Sequence, residues 1–127
     1  MKWESAKEVI KDKIKVGVKL TLTRKVTAVN TSLKSDRYGY KAECGFRVSI
    51  SSGTSIGIPW SMLEICYKAL QTETGYSNDK FKRLYPIQIG DHDCYVHVVG
   101  QIFLHADLAT QEGRVYRLSK TGGEEIL

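Results

Sequence analysis

The spacing of apolar residues changes near Gly17 and again at Pro59, and these two changes limit the folds open to the chain more than any other feature. Trp3, Ala6, Val9, Ile10 and Ile14 recur at helical intervals, and Ser5 with Glu8 has the spacing of a capping box. A short amphipathic helix ending near Gly17 is expected. Around and after Gly17 the period becomes two. Val16, Val18, Leu20 and Leu22 alternate with polar residues, as do Tyr40, Ala42, Cys44, Phe46, Val48 and Ile50. Such alternation marks strands with one face in a core and the other in water. The turn formers of NTSLKSDRYG, residues 30–39, separate the two runs and predict a long antiparallel hairpin. Cys44 shares a side with Phe46 and reads as a small core hydrophobe.

Beyond the SSG turn, Ser55–Ile58 suits a third short strand, and Pro59 suits the opening of a helix from Trp60 to about Gln71. Cys66 falls on the apolar side of that helix and is expected to be buried and inert. YSNDKFKRLYP predicts a second, shorter helix. Ser77 or Asn78 caps it, Asp79 lies in its first turn, Lys82 and Arg83 lie in its last, and Pro86 stops it. The next apolar segment, Cys94–Ala106, fits both periods. As a helix it centres Tyr95, Val99, Ile102 and Ala106 on one face and gathers Cys94, His97, Gly100, Gln101 and His105 opposite; alternation suits a strand as well. Its length exceeds the usual strand of about five or six residues, which favours the helix. After a turn at Gln111–Gly113, Val115–Leu118 reads as a short strand.

The expected architecture is one α+β domain over residues 1–127: an antiparallel sheet, formed by the long N-terminal hairpin plus short strands, packed against three to four helices. Residues 14–58 are mainly β, 59–108 mainly helical, and 114–119 a short strand. TGGEEIL, residues 121–127, reads as a loose tail. A chain of 127 residues with 42% hydrophobic and 26% charged residues is large enough for a core without disulfide or metal staples. Its three cysteines are widely spaced among apolar neighbours, and no secretory leader is evident, so a reduced cytoplasmic protein is expected. No apolar run approaches the roughly 18 residues of a membrane span, so no membrane association is expected.

Charge is unevenly divided. Residues 1–47 hold twelve Lys or Arg against five Asp or Glu, whereas the remainder is slightly acidic and the whole carries +5. A polyanion is therefore expected to meet the N-terminal part first. Lys7, Lys11 and Lys15 line one side of the first helix, an arrangement that suits an ordinary solvated face. At the hairpin tip Lys34, Arg37, Tyr38, Tyr40 and Lys41 interleave cations, which neutralise phosphates, with aromatic rings, which stack on bases. The same residue types also serve as ordinary strand-edge residues.

All three histidines lie in GDHDCYVHVVGQIFLHAD, residues 90–107. Cys94 and His97, three residues apart, would supply half of a zinc site, with Asp91, His92 and Asp93 nearby, but no matching second pair occurs in the chain. Cys94 with His97 as a nucleophilic pair lacks an evident orienting group. No GxGxxG, Walker, HExxH or GxSxG pattern occurs. No catalytic residue, metal ligand or cofactor is assigned, and a binding module is expected ahead of an enzyme.

From Pro59 to Leu118 the order helix, helix, longer helix, strand resembles a winged-helix or related helix-turn-helix domain. The resemblance implies that Cys94–Leu108 takes the place of the recognition helix and the strand from Arg114 that of the wing. His97, Gln101 and His105 would then face base edges or a partner. That helix contains no Lys or Arg and is bracketed by Asp93 and Asp107, which favours DNA contact through the hairpin, or use of the domain as a protein-interaction module.

Three functions follow in order. The first is a nucleic-acid-binding accessory or regulatory protein contacting DNA or RNA through the hairpin residues with Arg114 and Arg117. The second is a module that binds another protein or itself as a homodimer, using exposed Trp60, Tyr76 and Leu104. The third is a small enzyme or metal protein centred on Asp91, His92, Asp93, Cys94 and His97.

Overall fold

The computed structural model describes residues 2–33, 43–51 and 53–119. Among them are five helices, a three-stranded antiparallel sheet and a two-stranded sheet, an α+β architecture. The first helix, α1 (Trp3–Lys13), buries Ala6 and Ile10, and Ile14 continues that four-residue step just beyond its end. Its N-cap is Lys2, so Ser5 lies inside the helix and the expected Ser5–Glu8 capping box does not form.

The first sheet has the order β1 (Lys25–Leu33), β2 (Glu43–Ser51), β3 (Thr54–Pro59). The strand expected over Val16–Leu22 is absent. That segment is a loop closed on the start of β1 by Gly17 N–H to Val26 O, Val26 N–H to Val18 O and Leu20 N–H to Arg24 O. Leu20 turns inward, but Leu22 is 98% exposed, so the alternation there did not describe a sheet face. Asn30–Leu33, expected in the turn, instead completes β1, while 34–42 lies outside the described residues. On β2, Phe46 and Val48 are buried as the alternation predicts. Cys44 is exposed at the strand end, where its cross-strand neighbour is the exposed Ser32, and is not a core residue.

β3 ends at Pro59, whose extended backbone caps α2 (Trp60–Leu70). α3 (Asn78–Leu84) ends before Pro86 as expected. The proline also opens a further short helix, α4 (Pro86–Asp91), at the position where its missing N–H leaves no bond unmade. The ambiguous apolar segment is a helix, α5 (Tyr95–His105), with seven of its eleven residues buried. The single C-terminal strand expected is instead a hairpin of β4 (Ala109–Glu112) and β5 (Val115–Leu118). Tyr76, between α2 and α3, lies beside β5 and exchanges two backbone hydrogen bonds of 2.8 Å with Tyr116.

One buried cluster links these parts, from Ala6 and Ile10 through Val26, Phe46, Val48 and Ile58 to Met62, Tyr67, Val99, Phe103 and Tyr116. Aromatic rings form a connected series inside it. Phe46 contacts Trp60, Trp60 contacts Trp3, and Trp3 contacts Tyr67; Phe103, Tyr76, Tyr116 and finally His97 follow, with centroids 5.0–6.3 Å apart. Trp60 and Tyr76, expected as exposed contact residues, are both buried in this series, and Leu104 is half-buried. Among the described residues no helix is long and apolar enough to cross a membrane.

Candidate functional site

The outward strip of α5 is built from beneath. Gly100 has no side chain, and the Tyr116 ring occupies the space where one would stand: an added Cβ would lie 2.3–2.5 Å from three ring atoms. This close approach carries the Tyr116 hydroxyl to 2.9 Å from His97 Nδ1, where the two groups hydrogen bond. One turn later, Gln101 Oε1 accepts a hydrogen bond from Arg24 Nη1 at 3.1 Å. Arg24 closes the 14–24 loop, whose backbone bonds to β1 fix it in place.

Two guanidiniums, Arg24 from the loop and Arg114 from the β4–β5 turn, bear on His97 from separate segments. Burial lowers the His97 pKa below its ordinary 6.5, the two arginines lower it further, and Asp93 opposes them. The imidazole is therefore held neutral. Burial also raises the Cys94 thiol, against the pull of Arg24, which leaves it protonated and a poor nucleophile. Cys66 is fully buried and pushed up to about 12 by burial, with the Tyr76 hydrogen bond opposing.

The residues singled out in the sequence fall into different settings. His97 and Gln101 are together on α5 but engaged by Tyr116 and Arg24, while His105 is exposed at the helix end. Arg114 is exposed. Arg117 is half-buried and tied down: its Nε donates to Glu112 at 3.1 Å and its Nη1 to the Glu73 carbonyl at 2.5 Å. Asp107, which was expected to repel phosphate, is paired with Lys13. Lys34, Arg37, Tyr38, Tyr40 and Lys41 lie outside the described residues. Among the described residues, no three His, Cys, Asp or Glu side chains come together in a way that could hold a metal ion. His92 lies beside Tyr95 with the two rings tilted by 49°, and Asp93 is exposed.

Sequence reasoning missed Arg24, because only the loop's backbone bonds bring it to α5. It also missed a cavity of about 220 Å³ between α1 and the first sheet, lined by Ile14, Lys11, Lys15, Val29, Asn30, Phe46 and Trp60. Those residues come from four separated segments. Trp60 was expected as an exposed contact residue, and Lys11 and Lys15 as part of a solvated face.

Compared with family models, curated proteins and solved structures, the chain matches none.

Proposed function

We propose that the protein is a small non-catalytic nucleic-acid-binding accessory or regulatory module whose phosphate-facing surface centres on Arg24 and Arg114 beside His97. The observation that carries this reading is that Arg24, held on α5 by its hydrogen bond to Gln101, and the exposed Arg114 both place positive charge in the field of His97. Among the described residues neither arginine is ion-paired with a carboxylate. A phosphate at either arginine gains from its charge while releasing the cations bound to the nucleic acid, and Asp93 is the one acidic group that also acts on His97 there. The cationic excess of residues 1–47 supports the same partner class.

The element order also supports it. α2, the Tyr76 bridge, α3, α5 and the β4–β5 hairpin keep the order of a winged helix, interrupted by α4 between α3 and α5, with α5 matched to the recognition helix and the hairpin to the wing. Because α5 is largely buried and Gln101 is already engaged, the contact falls on phosphates more than on base edges. Affinity should accordingly depend steeply on salt and weakly on sequence.

Fluorescence anisotropy with labelled single- and double-stranded DNA and RNA, at about 50 and 200 mM salt, tests the reading. Binding is expected to weaken strongly over that range. The double variant Arg24→Ala, Arg114→Ala should lower the salt slope by about two, one for each lost phosphate contact. Absence of binding to all four probes at the lower salt concentration would sink the proposal. The protein-interaction reading has lost Trp60 and Tyr76 to the core.

A further inference from the structure

We infer that the cavity between α1 and the first sheet is a binding site for a small amphipathic carboxylate, its apolar body against Ile14, Val29 and Phe46 and its charge toward Lys15 and Lys11. Three independent features of the wall lead there.

The first is an unmet donor. Trp60, 9% exposed, contributes to the wall, and its Nε1–H is the one buried side-chain polar atom among the described residues without a hydrogen-bond partner. An indole N–H can only donate, and a carboxylate can only accept. Leaving such a donor unmade inside a protein costs free energy, which a ligand acceptor would recover on reaching the N–H by a small turn of the Trp60 ring.

The second is the sign of the surrounding charge. Lys7 Nζ stands 5.0 Å from the centroid of the Trp60 ring, and Lys11 and Lys15 line the cavity itself. Lys7 and Lys11 stand one turn apart on α1, and Lys15 follows just past its end, so three ammonium groups lie at this wall or beside it. The one carboxylate paired with them among the described residues is Glu8, 3.5 Å from Lys11 with both groups largely in water. This environment repels a cationic ligand and attracts an anion.

The third is a wall opened by the backbone. The β1–β2 register slips between Val26 and Ala28 and again between Ala28 and Thr31, and Asn30 takes a φ of 48°, a left-handed conformation that a non-glycine residue adopts at a cost. Register breaks of this kind bend a strand and redirect its side chains. Here they bring Val29 and Asn30 to the cavity. At about 220 Å³ the space falls below the roughly 300–1,000 Å³ of pockets for drug-sized ligands, so the occupant is a small molecule. A bare inorganic anion would leave the apolar lining unfilled.

The test is a heteronuclear NMR titration of the full chain, following the indole N–H resonances, with Trp3→Phe used to assign that of Trp60. Phenylacetate is the probe; phenethylamine and inorganic phosphate are the controls. The expected result is a saturable shift of the Trp60 indole proton with phenylacetate at millimolar or lower concentration, and none with either control. Lys15→Glu should weaken it by about tenfold, as loss of one charge-assisted contact does. Should that variant not fold, Lys15→Ala must weaken binding in the same direction. No saturable shift, an equal response to phenethylamine or phosphate, or unchanged affinity in a folded Lys15 variant would each overturn the assignment. None of these outcomes depends on whether the chain binds nucleic acid.

Discussion

His97 holds a neutral ring because burial and two neighbouring arginines all oppose its protonation. An unfolded chain has no such opposition and takes up a proton near the ordinary value of 6.5, so below that pH the unfolded state binds more protons than the folded one. The stability that His97 supports is complete above 6.5 and is lost as the pH falls through 6.5 toward the lower folded value. Urea denaturation at pH 7 and pH 5 should therefore show a larger acid loss for the native sequence than for His97→Gln. Equal losses would mean that the ring is not held neutral. Phosphates bound at Arg24 and Arg114 offset their field at His97, so nucleic-acid affinity should rise on acidification and the His97→Gln variant should lack that rise. The histidines were legible in the sequence as a group. Their separation into an engaged His97, an exposed His105 and a His92 beside Tyr95 was not, since it depends on which neighbours the fold supplies.

At the scale of elements, α5 and β5 meet where a glycine leaves room for a ring. In an exposed helix, Gly→Ala gains about 1 kcal/mol from helix propensity. At Gly100 the added methyl would run into Tyr116, and overpacking of a filled core costs about 1–3 kcal/mol. Gly100→Ala should therefore destabilise the protein, by thermal or urea denaturation, and disturb the His97–Tyr116 bond. Combined with Tyr116→Leu it should cost less than the sum of the two single changes, because the clash is shared. Gly75 belongs to the same junction. Its φ of 72° and the 2.6 Å separation between an added Cβ and the Tyr116 carbonyl leave no room for a side chain beside the Tyr76–Tyr116 bridge. The change at Pro59 from strand to helix was legible, because a proline there suits both neighbours. β1 was not. Its two register breaks spoil the alternation that announces a strand, while Val16–Leu22 alternates yet makes an isolated Lys19–Lys25 bridge and loop bonds to β1 rather than a strand.

Across the whole molecule, the α+β class was readable from the two changes of hydrophobic period, since each reflects which side of an element meets the core. The candidate surfaces were less so. Arg24 reaches α5 through loop hydrogen bonds, and the cavity gathers side chains as far apart as Lys11 and Trp60. No local pattern encodes either meeting. The aromatic series through the core has an optical consequence. Trp3 and Trp60 lie together toward one end, and Tyr67, Phe103, Tyr76 and Tyr116 follow toward His97 with successive ring centroids about 6 Å apart. Light absorbed by those tyrosines should be handed on to the indoles before it is re-emitted, so the folded protein should fluoresce almost entirely as tryptophan. Tyrosine emission should emerge only when denaturant separates the rings, and an excitation spectrum recorded at the tryptophan emission wavelength would register that separation directly.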